Sequence, residues 1–111
     1  MADALIGLDP ATRNEVLGFM WHLHMNLRDK VRPRRRVTYY GDKIVCVHDG
    51  LHVDIDVVDV RIDDTNWVEL EVLEDHERVL TDSFTMDLEG IEDVVGIVRR
   101  IITEPGVDHR F

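Results

Sequence analysis

The sequence predicts a two-layer α+β domain: an antiparallel five-stranded meander sheet packed by an N-terminal and a C-terminal helix. Three observations carry this. Apolar residues recur at helical spacing near each end of the chain. Between those ends, short runs alternate apolar and polar residues with a period of two. Gly-Asp, Asp-Gly and Asp-rich breaks separate the runs. A length of 111 residues fits one domain over 1–111. Residues 1–8 and 104–111 are expected to be flexible ends.

The first helix starts at Asp9, which can cap it, with Pro10 at the first helical position where a missing N–H is harmless. Thr12 and Glu15 offer a second capping pair. Val16, Met20, Leu23, Leu27 and Val31 then recur every three or four residues, flanked by Leu17 and Phe19, and form one wide apolar face. Pro33 disfavours helix at its predecessor, which places the end near Lys30.

Two tight hairpins follow, at Gly41-Asp42 and at Asp49-Gly50. Two-residue loops pair Tyr39 with Ile44, Val37 with Cys46, Cys46 with Val53 and Ile44 with Ile55. Both turns therefore send the same set inward: Val37, Tyr39, Ile44, Cys46, Leu51, Val53, Ile55 and Val57. The other face receives Thr38, Tyr40, Lys43, Val45, Val47, His52, Asp54 and Asp56. Lys43 falls opposite Asp56, a favourable cross-strand pair. Alternation breaks at Val57-Val58, where a β-bulge is expected.

After a turn at residues 63–66, Val68, Leu70 and Val72 alternate with Trp67, Glu69 and Glu71. A turn at Glu74–Glu77 leads to a fifth strand over 78–86, with Leu80, Phe84 and Met86 inward and Asp82 out of place among them. Asp87 caps the last helix. Ile91, Val94, Val95, Val98, Ile101 and Ile102 make its apolar face, with early acidic and late basic residues matching the helix dipole. Pro105-Gly106 ends it.

Charge is unevenly placed. The chain has 23 acidic and 13 basic residues, a formal charge of −10. Residues 28–36 hold six basic groups and one acidic, a local +5, whereas residues 41–98 hold seventeen acidic groups against three basic, a local −14. Such a balance speaks to association and solubility rather than to fold. With one cysteine there is no internal disulfide, which fits a reducing compartment. No leader pattern and no bilayer-length apolar run are seen, so a cytoplasmic protein without membrane attachment is expected.

Most catalytic chemistries are disfavoured. His22 and His24 point about 200° apart on a helix and cannot share an ion. His24 reads as a packed histidine at the edge of the apolar face. His48 and His52 fall on opposite faces of the sheet. His52, Asp54 and Asp56 share one face at intervals of about 6.5–7 Å, so they are the candidate metal ligands, although nothing supplies a further one. Asp59 or Asp63 ahead of Glu69-Leu70-Glu71 resembles a metal-dependent nuclease pattern, but Glu71 stands where that pattern needs lysine. Cys46 alternates inward as a packing residue. Ser83 lacks a nucleophile-elbow context, and no glycine-rich phosphate loop is present. No cofactor is expected. Arg32–Arg36 reads as a connector paired with the chain's own carboxylates, and direct nucleic-acid binding is disfavoured by the acidic remainder.

The expected functional feature is the outward sheet face. Tyr40, Val45, Val47 and Trp67 lie there beside Asp54, Asp56, Glu69 and Glu71, apolar groups ringed by charge as in many protein interfaces. The leading expectation is a non-enzymatic module that binds a protein with a basic surface. It would act as an inhibitor imitating nucleic acid, as small viral anti-defence proteins do, or as a chaperone or adaptor. A homodimer through the same face, acidity that serves only solubility, and a metal-dependent hydrolase at His52, Asp54 and Asp56 are the alternatives.

Overall fold

The computed structural model describes Leu5 and residues 7–30, 35–62 and 66–104. Helix α1 (Pro10–Lys30) is followed by strands β1 (Arg35–Tyr39), β2 (Lys43–His48), β3 (Leu51–Ile62), β4 (Asn66–Glu74) and β5 (Glu77–Thr85), then helix α2 (Leu88–Thr103). The strands lie side by side in chain order, each pair antiparallel. The α-β5-α meander predicted from periodicity is the observed fold.

Local chemistry sets the ends of the elements. The Thr12 hydroxyl and backbone N–H both donate to the Asp9 carboxylate, and these bonds hold that carboxyl below its usual pKa. Asp87 caps α2 in extended geometry, accepting from Gly90 N at 2.9 Å and from the Thr85 hydroxyl at 2.7 Å. In the first hairpin, Tyr40 N donates to Lys43 O at 2.8 Å and Gly41 has φ +84°. In the second, Asp49 and Gly50 have φ of +49° and +84°, both left-handed as this hairpin turn requires. The predicted pairs Tyr39–Ile44, Val37–Cys46, Cys46–Val53 and Ile44–Ile55 all occur. The ladder slips between Val57 and Asp59, at the predicted bulge, and again between Val72 and Leu73, where the sequence predicts none.

Both helices pack on one face of the sheet, α1 against β1 and β2, and α2 against β5 and β3. The core between the layers joins Val16, Met20, Leu23 and Leu27 of α1 to Ile44, Val53, Ile55, Leu70 and Val72 of the sheet and to Val94, Val98 and Ile101 of α2. Fully burying each such side chain contributes about 1.5–3 kcal/mol. Cys46 is buried among them. His24 is packed as expected, its ring 4.8 Å from Trp21 and 5.6 Å from Tyr39, and burial pushes its imidazole below the usual pKa.

Some expectations need correction. Leu5 is buried and Leu8 packs on the core, so the segment before α1 is anchored at those two residues. Residues 1–4 and 6, the end of the first apolar stripe at Val31, most of the basic run (31–34), the turn residues 63–65 and the tail from 105 lie outside the described residues. Gly90 and Ile97 join the buried side of α2, although neither is part of its simplest apolar stripe. Asp82 shares the inward parity opposite Leu70 yet is exposed. It sits on an edge strand, where a short carboxylate can still reach water.

Candidate functional site

The sheet face turned away from the helices is built from cross-strand rows. One row runs Thr38, Val45, Asp54, Leu73 from β1 to β4. The next runs Lys43, Asp56, Glu71, Thr81 from β2 to β5. Beyond the bulge come Asp59, Glu69, Ser83 and then Arg61, Trp67, Thr85. Neighbours within a row are close enough to touch, at about 4.5–5.5 Å between Cβ atoms.

Asp54 is the unusual member. It sits on the central strand and is only 5% exposed, although its face carries no helix. Its short side chain is overtopped by Val45 and Leu73 on either side, by Lys43 and by His76. Its Oδ2 lies 3.5 Å from Lys43 Nζ and 3.9 Å from His76 Nδ1. Its Oδ1 is buried and has no hydrogen-bond partner among the described residues. The expectation of a solvated polar row is therefore wrong at Asp54. Alternation predicts which face a side chain takes but not how far its neighbours cover it.

Asp56, two residues on, repeats the pattern less deeply. Its Oδ1 is also buried without a hydrogen-bond partner among the described residues. Burial pushes its carboxyl above the usual pKa; Lys43 opposes this, and Asp54, Glu71 and Asp42 add to it. Lys43 does pair with Asp56 in the ladder, as predicted, but its ammonium leans diagonally to Asp54.

The turn joining β4 to β5 completes the site. Asp75 and His76 have φ of +48° and +71°, left-handed conformations that non-glycine residues rarely adopt. Asp75 N donates to His52 O at 2.8 Å, and His52 N donates to the Asp75 carboxylate at 2.9 Å. These two bonds tie the turn to the start of β3. They bring His76 beside Asp54 and set its ring 5.9 Å from that of His52.

Of the residues singled out from the sequence, Val45, Asp54, Asp56 and Glu71 lie together, with Val47 and Glu69 one row away on either side. The two aromatics do not join them. Tyr40 is 63% exposed at the tip of the first hairpin, and Trp67 is 37% exposed at the far end of β4. Three strand spacings, about 14 Å, separate their strands. Leu73, Asp75 and His76 were missed. Only the register slip at Val72/Leu73 puts Leu73 beside Asp54, and nothing in the local pattern announces a slip. Among the described residues, no three His, Cys, Asp or Glu side chains are placed to hold a metal ion. His52 itself is exposed, beside His76.

Asp56 gives a prediction. A carboxyl whose folded pKa is raised above 3.8 favours the folded state at low pH, and that contribution is lost as pH rises through the folded pKa. Asp56→Asn is therefore expected to be more stable than wild type at pH 7, with a gap that narrows as pH falls toward 4. Thermal melts across that range measure the gap; one that is constant with pH would contradict the burial effect.

Compared with known protein families, with curated proteins and with solved structures, the chain matches none. No helix among the described residues is long and apolar enough to cross a membrane.

Proposed function

We propose that this chain is a non-enzymatic binding module whose open sheet face docks a basic surface of another protein, as an inhibitor or adaptor that occupies that surface. The observation that carries the reading is Asp54: a carboxylate 5% exposed, on an uncovered face, with one oxygen left without a hydrogen bond among the described residues. Buried polar atoms in folded proteins nearly always find partners, and each exception needs a physical cause. A cationic group arriving from outside supplies one.

Two further features support it. Asp56 and Glu71 place more negative charge in the adjoining row, against the single ammonium of Lys43. Half-buried Val45, Val47 and Leu73 add apolar contact area beside the charge, the mixture found at the centre of protein interfaces. An imitation of nucleic acid would hold its carboxylates out in solvent like phosphates. The recessed position of Asp54 favours a shaped docking site instead.

The test compares capture from the native host by wild type, by a face variant (Asp54→Asn with Asp56→Asn and Glu71→Gln) and by a helix variant (Glu89→Gln with Glu92→Gln). A basic protein held by wild type and the helix variant, lost by the face variant, released by salt and indifferent to added DNA is the expected result. Identical capture by all three would sink the reading.

A further inference from the structure

We infer that Asp54 and Asp56 form a seat for one arginine side chain of that basic partner, with the guanidinium bridging the two carboxylate oxygens that lack hydrogen bonds. The inference rests on the docking reading and adds the chemistry of the docking group.

Both free oxygens belong to residues two apart on one strand, so they share a face and are spaced about 6.5–7 Å along it. Each is buried without a hydrogen-bond partner among the described residues. One planar group with several fixed donors can reach both. A guanidinium carries five N–H donors in a rigid fork; an ammonium is a compact point charge. The ammonium position is also filled already, since Lys43 Nζ stands 3.5 Å from the other oxygen of Asp54. Guanidinium is the more weakly hydrated cation, so it enters a recess where the carboxylate is 5% exposed with less loss of solvation.

The walls fit the rest of the side chain. Val45 and Leu73 flank Asp54 in its row, and an arginine stem covers apolar surface of that kind. His76 borders the recess but is itself 77% exposed at its side chain, so it does not seal the opening. A divalent ion is a poorer match, because no third ligand stands ready among the described residues. A second copy of this chain is disfavoured by its formal charge of −10, which makes copies repel.

The experiment titrates the full chain with a short arginine-repeat peptide and with a lysine counterpart of equal length and charge, by calorimetry at near-physiological salt. The arginine peptide is expected to bind about tenfold more tightly or better. Asp54→Asn and Asp56→Asn should each weaken it about tenfold and change lysine-peptide binding far less, with thermal melts confirming that both variants fold. Equal affinity for the two peptides, lost together on Asp54→Asn, overturns the arginine seat and leaves the docking face standing. Arginine binding that ignores both substitutions overturns the seat as well. So does binding of neither peptide, in which case the docking reading is judged by the capture experiment alone. Sedimentation showing self-association that Arg34→Gln with Arg35→Gln abolishes would hand the seat to a second copy and overturn the assignment to a separate partner.

Discussion

Gly90→Ala is expected to destabilise the fold by about 2–4 kcal/mol, lowering Tm by roughly 10–20 °C. A Cβ at Gly90 would run into the carbonyl oxygen of Thr85 and come within 2.9 Å of its carbonyl carbon. The obstacle is backbone, so no rotamer change relieves it. Thr85 cannot move freely either. It ends β5, pairs with Trp67 of β4, and its hydroxyl donates to Asp87, the residue that caps α2. A shift that made room would separate Gly90 N from the Asp87 carboxylate and lose the cap. Urea unfolding followed by circular dichroism measures the loss. Gly18 and Gly96 provide the contrast: both lie in helices, and nothing stands within 4 Å of a Cβ built on either. Gly18→Ala and Gly96→Ala are expected to stabilise by about 0.5–1 kcal/mol through helix propensity alone. A Gly90→Ala midpoint equal to wild type would show that α2 can slide on β5.

Ile55→Ala is expected to cost about 2–5 kcal/mol, while Asp54→Val next to it raises stability by about 1–2 kcal/mol. The two residues are consecutive on β3 and point to opposite faces. Ile55 is fully buried between Ile44 and Val72, themselves fully buried, so truncation opens a cavity under both helices. Asp54 is nearly as buried but carries a charge with one unbonded oxygen between Val45 and Leu73. An apolar branched side chain suits that place better. The Lys43 side chain, 38% exposed, keeps its water when the carboxylate goes. Stability gained at the expense of binding is the usual mark of a functional residue. Chemical denaturation of the two variants measures both signs in one strand; a loss of stability in Asp54→Val would mean that the ion pair with Lys43 outweighs the burial of charge.

Much of the fold was legible because strand alternation and turn chemistry constrain each other. Gly41-Asp42 and Asp49-Gly50 are separated by a run whose parity both turns must satisfy, and the two turns agree on which residues face inward. The observed pairs follow that register residue by residue. The bulge at Val57/Asp59 was legible for the same reason, since one extra residue in a strand shifts the parity of everything after it. The candidate site was legible only in part. Parity placed Val45, Asp54, Asp56 and Glu71 on one face, but it grouped Tyr40 and Trp67 with them, because parity says nothing about distance across strands. The turn at Asp75-His76 has no glycine to mark its left-handed backbone.

Determined by the sequence alone, then, are the element order, the strand register as far as the first bulge, the inward and outward sets and the excess of negative charge. Each of these follows from spacing along the chain. Tertiary structure alone decided that Asp54 sits in a recess rather than in water, that Lys43 leans to it instead of to Asp56, that Leu73 and His76 complete its walls, and that Gly90 must lack a side chain. Those outcomes depend on how far neighbours from other strands and turns overhang a given atom. Solvent access is set by the whole surrounding surface, and no local pattern of residues encodes it.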